Sequence, residues 1–186
     1  SGKKLIITRT HEGETFCLYD TETGNLKSIP FESGQENTNC DNTRPPHRPF
    51  GITWDTDNIY IASRKSLLVY DNELKWVDKI ELLDENTHQI AMAGDKIAVC
   101  MTRKDCIGLL DPVSREMSLY HPDKGWGDHP TLDYSYIHVE DWPKANEERY
   151  HINSVLPIGN RIFFLMQRPC TLAELDLETN DIKYQK

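Results

Sequence analysis

The chain has 186 residues, 38% hydrophobic and 27% charged, with a formal net charge of −9. That length suits one domain with its own core, and the apolar content argues against disorder. No apolar run approaches the roughly 20 residues of a membrane helix, and an acidic chain is repelled by nucleic acid and anionic lipid unless its positive charge is gathered locally. Neither nucleic acid nor membrane is therefore an expected partner. The Ser1-Gly2 start, without a Met, reads as a cleavage scar and is set aside.

In chain order, residues 3–30 (KLIITRTHEGETFCLYDTETGNLKSI) read as three short strands. A polar connection over 31–48 follows. Residues 48–81 open with RPFGITWDTD and continue as NIYIASRKSLLVYDNELKWVDKI. Residues 87–121 repeat the scheme as HQIAMAGD and KIAVCMTRKDCIGLLDPVSREMSLY. An insertion over 122–150 carries Trp126, His129, Tyr134, Tyr136, His138 and Trp142. Residues 151–186 close the series with HINSVLPIGN and RIFFLMQRPCTLAELDLETNDIKYQ. The strands are rich in Ile, Val, Leu, Phe, Tyr and Thr, as pleated surfaces prefer.

Each copy places an aspartate at the end of its penultimate strand: Asp20, Asp71, Asp111 and Asp176. Turn chemistry follows each one (TETGN, NELK, PVSRE, LETND). Asp caps its own turn backbone, and Gly or Asn tolerates positive φ. The last three copies read as four-stranded meanders. The first shows no opening strand. The recurrence is on the order of 40–65 residues, near or above the roughly 40–50 of propeller blades. A β-sandwich is the competing architecture, but it does not call for blade-like self-similarity.

IYIASRKSLLVYD, IAVCMTRKDCIGLLD and IFFLMQRPCTLAELD, with the Pro49-Phe50-Gly51-Ile52 opening, resemble the β-propeller superfamily in its divergent YVTN/NHL/SMP-30-like style. No signature selects one family: there is no WD dipeptide at blade ends and no kelch double glycine. The expected fold is all-β, a four-bladed β-propeller of antiparallel four-stranded meanders with the first blade lacking a clear opening strand. It spans 3–186 as a single domain. The resemblance implies an axial channel with ligand sites at one mouth, and no particular reaction. Open blade edges make a homodimer an expectation.

The five cysteines, Cys17, Cys40, Cys100, Cys106 and Cys170, form no CxxC pair. All but Cys40 lie in apolar segments, where a free thiol behaves as a small buried hydrophobe. This usage points to a reducing, cytoplasmic compartment.

In an antiparallel meander, the turn between second and third strands lies at the same end as the start of the first. Those turns hold Arg9, Arg64, Arg103 and Arg168, one per copy. Gathered around one mouth they would bind a carboxylate, phosphate or sulfate; alternatively each pairs with a neighbouring carboxylate as a structural bridge. His47, His88 and His151 stand near the opening of the first strands. Three converging imidazoles suit a divalent metal such as zinc, iron or copper. The plainer alternative is hydrogen-bonded histidine at loop–strand junctions, because the three do not align residue for residue. Asn153 stands two residues beyond His151 and would join it in a site.

Three functions fit. The first is a propeller that binds a small anionic ligand at one mouth through Arg9, Arg64, Arg103, Arg168, His88, His151 and Asn153. The second is a metal-dependent hydrolase or lyase acting on an anionic substrate, with His47, His88 and His151 as ligands. The third is a protein-interaction scaffold that uses the 122–150 loop.

Overall fold

Alternating apolar and polar residues between turn signals become strands throughout the structure, a computed structural model. It describes residues 4–8, 14–30, 49–63, 66–83, 86–122, 125–126, 150–167 and 169–185. The first sheet holds β1 (Lys4–Thr8), β2 (Glu14–Asp20) and β3 (Leu26–Pro30). The second holds β4 (Pro49–Trp54), β5 (Asn58–Ser63), β6 (Ser66–Asp71) and β7 (Trp76–Glu81). The third runs β8 (Thr87–Ala93), β9 (Lys96–Met101), β10 (Cys106–Leu110), β11 (Met117–His121) and β12 (Gly125–Trp126). The fourth holds β13 (Ile152–Ile158), β14 (Arg161–Met166), β15 (Thr171–Asp176) and β16 (Ile182–Gln185). Every pairing is antiparallel and joins strands adjacent in sequence.

Among the described residues the first sheet has three strands, in line with the expectation of no clear opening strand. The third differs from the expected four. Its fifth strand, β12, comes from the insertion: Tyr120 pairs with Trp126 and His121 with Gly125, a short return beside β11. No helix among the described residues is long and apolar enough to cross a membrane.

The chain divides into two compact units, Ser1–Leu82 and Leu83–Lys186, with two sheets in each. In the first unit Ile59, Ile61, Leu68 and Tyr70 form a buried cluster, against which Ile6 of β1 packs. In the second, Ala98, Cys100 and Ile107 of the third sheet pack with Ile162, Phe164 and Ala173 of the fourth. Burying such side chains contributes about 1.5–3 kcal/mol each for the larger ones.

The repeated aspartates do what their chemistry suggests. Asp20 Oδ1 accepts the N–H groups of Glu22 and Thr23, both at 2.9 Å. Asp111 Oδ1 accepts those of Val113 at 2.8 Å and Ser114 at 3.0 Å. Asp176 Oδ1 accepts those of Glu178 at 2.9 Å and Thr179 at 3.1 Å. In the second sheet Asp71 Oδ1 takes Glu73 and Lys75 instead, at 2.8 and 2.9 Å, in a turn one residue shorter. Each turn ends in a left-handed residue: Gly24 (φ 72°), Leu74 (66°), Arg115 (65°) and Asn180 (61°). The turn N–H groups hold the Asp111 and Asp176 carboxyls below the ordinary carboxylate range.

Among the described cysteines all are free thiols. Cys17, Cys100 and Cys106 are buried. Cys170 corrects the expectation, since it is exposed in the turn before β15 with φ 49°. The cause is local: Pro169 and Cys170 form the turn itself rather than the strand that follows.

Candidate functional site

The opening strands of the last three sheets share a defect that shapes the site. Pro49 pairs with Ser63 but Gly51 with Ala62; Thr87 pairs with Met101 but Ile90 with Val99; Ile152 pairs with Met166 but Ser154 with Leu165. One strand carries an extra residue each time, a β-bulge that disturbs the inside–outside alternation. His88 lies within the bulge of β8 and Asn153 within that of β13. His151 stands one residue before β13, in the left-handed region at φ 50°. A strict two-residue period therefore cannot align these histidines.

The pairing of Thr87 with Met101 puts the start of β8 beside the 3-10 turn Thr102–Lys104, which carries Arg103. The pairing of Ile152 with Met166 likewise puts His151 beside Gln167. At this end of the second unit the His88 and His151 rings meet edge to face, centroids 5.9 Å apart and planes at 72°. Both are half-buried, as is Arg103.

Backbone hydrogen bonds hold the arrangement. Asp105 ends the 3-10 turn in the left-handed region, at φ 49°. Its Oδ1 accepts the His151 N–H at 2.8 Å and the Tyr150 N–H at 3.3 Å. The His151 carbonyl accepts the Gln167 N–H at 3.3 Å. Thr102 Oγ1 donates to the Ile152 carbonyl at 2.6 Å. Gln89 Oε1 accepts from Ser154 Oγ at 2.7 Å and from the Val155 N–H at 3.2 Å. A left-handed conformation costs a non-glycine residue on the order of 1 kcal/mol, and the two bonds flanking His151 offset that cost. Asn153 Nδ2 donates to Gln167 Oε1 at 3.4 Å.

Of the residues expected in a site, His88, His151, Asn153 and Arg103 thus sit at one end of the second unit. Arg9, Arg64, Arg168 and His47 lie outside the described residues or side chains. Among the described residues no group of three or more His, Cys, Asp or Glu side chains is placed to hold a metal ion. Asp105, Gln89 and Gln167 were missed from sequence. The usable signal for Asp105 was an Asp closing a polar turn, a position suited to left-handed backbone. Gln89 offered only its place beside His88.

No family model matches the chain, and no curated protein matches it. Solved structures do. A streptogramin B lyase superposes with a TM-score of 0.66 at 10% identity, over 100% of this chain and 52% of its own. Virginiamycin B lyase from Staphylococcus aureus gives 0.64 at 12%, over 98% and 52%. The RRP9 WD40 repeats give 0.63 at 5%, over 97% and 47%. At these identities the likeness is one of fold: the chain is an all-β protein of four β-propeller blades. It spans about half the length of the solved structures it matches.

Proposed function

We propose that the chain binds a small anionic ligand at the end of the second unit where Arg103, His88, His151 and Asn153 gather. The observation that carries this reading is the 5.9 Å approach of two imidazoles from different sheets, beside a turn that bears a guanidinium. Imidazole, guanidinium and carboxamide N–H groups are donors suited to carboxylate, phosphate or sulfate oxygens. Asp105 is the nearby opposing charge, and its Oδ1 accepts backbone N–H groups.

Calorimetric titration with inorganic phosphate, sulfate and citrate tests it. One of the three is expected to bind, and Arg103→Ala to weaken that binding at least about tenfold, the effect of losing one charge-assisted hydrogen bond. His151→Asn, which tolerates the left-handed backbone, is expected to do the same. No heat with any of the three anions, or unchanged affinity in both variants, sinks the reading.

A second reading treats His88 and His151 as two members of a metal set with His47, in a hydrolase or lyase. The ring pair favours it, but two imidazoles without a third ligand among the described residues are an incomplete donor set. No chemical step is therefore derived through a metal. Stoichiometric metal in the purified protein, lost in His151→Asn, would favour this reading over the first. A protein-interaction role for the 122–150 loop ranks third; its described part is Pro122, the added strand β12 and Tyr150.

A further inference from the structure

Two of the chain's four methionines meet over one glycine. Gly108 stands in the middle of β10, and a Cβ at that position would lie 2.8 Å from Met117 Sδ and 3.2 Å from Met101 Sδ. The glycine therefore keeps open a space that any side chain would fill, as happens where a strand lets another group approach closely. Both thioethers that border the space are soft, polarizable donors.

Cross-strand pairing gathers further donors on the same face of the third sheet. Cys106 pairs with Met101, and Gly108 with Val99. Met117 pairs with Leu110, two residues beyond Gly108. Paired residues share a face, as do alternate residues of one strand. Cys106 Sγ donates to Met101 Sδ at 3.8 Å. His121 lies one step beyond the pairing of Ile107 with Tyr120, which sets it opposite Cys106, and its Nε2 is shielded from solvent. Cys100 takes no part, because it packs on the other face against the fourth sheet. Cys106 and Met101 are fully buried, whereas Met117 and His121 are half-buried, so the cluster reaches solvent along β11.

The sulfur spacing suits a shared ion. Two sulfurs bound to one ion at about 2.3 Å, at the tetrahedral angle, stand about 3.8 Å apart. The donor types select the ion. Zinc sites use thiolate, imidazole and carboxylate, of which this cluster offers only Cys106 and His121. Thiolate together with thioether selects copper(I). We propose that Cys106, Met101 and Met117 hold a copper(I) ion over Gly108, with His121 as the fourth donor. Binding exchanges the thiol proton for the ion: the S–H bond breaks, a copper–sulfur bond forms and one proton leaves to solvent. The copper keeps its oxidation state throughout. The site shares no residue with the His88–His151 pair and stands independently of anion binding there.

Anaerobic titration of the whole chain with copper(I), in competition with bicinchoninate, tests the proposal. One ion per chain is expected, with proton release on binding, and copper X-ray absorption should show sulfur at about 2.3 Å. Cys106→Ser should weaken binding at least about 100-fold and Met117→Leu at least about tenfold, since losing even an outer-shell partner costs a metal site about 10–100-fold. Met117→Leu conserves volume at a half-buried position, so it decides the matter should Cys106→Ser fail to fold. Cys170→Ser removes an exposed thiol and should bind copper as the wild type does. Absence of chelator-competitive binding, a sulfur-free copper shell, or unchanged affinity in Met117→Leu overturns the proposal. So does loss of the ion in Cys170→Ser, which would mark an adventitious ion only, held by the exposed thiol.

Discussion

The Thr102 hydroxyl donates to the Ile152 carbonyl at 2.6 Å, across 50 residues of sequence and away from solvent. It fastens the turn that carries Arg103 to the first residue of β13, beside His151. Thr102→Val keeps the shape and removes the donor. It should cost about 1–3 kcal/mol, the penalty of a buried carbonyl left without a partner. Thr102→Ser should recover most of that. Urea unfolding followed by tryptophan fluorescence measures both; a wild-type midpoint for Thr102→Val would show the bond contributes nothing.

Acid should loosen the turns that end β10 and β15. The N–H groups of Ser114 and Val113 favour the charged form of Asp111, and those of Thr179 and Glu178 do so for Asp176. Both folded pKa values therefore lie below the ordinary 3.8. A depressed carboxyl contributes stability that is present above its unfolded pKa and is lost as pH falls through the folded one. The double variant Asp111→Ala/Asp176→Ala should be less stable at neutral pH. It should also lose less than the wild type on going to acid. Parallel stability curves for the two proteins between neutral pH and pH 3 would contradict this.

Alkali should act through Tyr60. Burial, and then its hydroxyl's hydrogen bond to Asp55 Oδ2 at 2.7 Å, raise its pKa to about 12. Burial opposes the Asp55 charge, yet the Tyr60 hydroxyl and the Asp57 and Asn58 N–H groups outweigh it and hold that carboxyl low. A raised tyrosine contributes stability that is complete below its unfolded value of 10.0 and is lost as pH rises through about 12. Tyr60→Phe should cost about 1.5–3 kcal/mol at neutral pH by removing a hydrogen bond to a charged group. Tyrosinate absorbance should contain a component with a midpoint near 12 that disappears in the variant. A wild-type titration curve for Tyr60→Phe would refute the assignment.

The four left-handed turn residues offer a test of backbone strain. Arg115 is exposed at φ 65°, where Gly24 stands in the first sheet at φ 72°. Arg115→Gly should stabilise the protein by about 1 kcal/mol, the steric cost a side chain bears in this region. Gly24→Ala should destabilise it by a similar amount, although nothing lies within 4 Å of the added Cβ. Thermal melts of the two variants should move in opposite directions; a shift of the same sign in both would rule out strain as the cause.

Strands, turns and blade number were legible because their signals are local. An Asp followed by Gly or Asn caps its turn wherever it occurs, and alternating Ile, Val and Leu make a strand in any sheet. The site was only partly legible. His88, His151 and Asn153 stood out by residue type, but their register was obscured by bulges, and a bulge depends on pairing between strands. Asp105 and Gln89 were passed over because their partners, Tyr150, His151, Ser154 and Val155, lie 45 to 66 residues away. Cys170 was misjudged for a related reason, since apolar neighbours in sequence do not bury a residue placed in a turn.

What the sequence by itself determined is an all-β chain of repeated meanders, since period-two patterning and turn chemistry act over a few residues. Only the tertiary structure decided which polar groups meet. The approach of His88 to His151 and the anchoring of β13 by Thr102 and Asp105 require two sheets to pack. Contacts between residues distant in sequence depend on how sheets pack, and no local pattern carries that information.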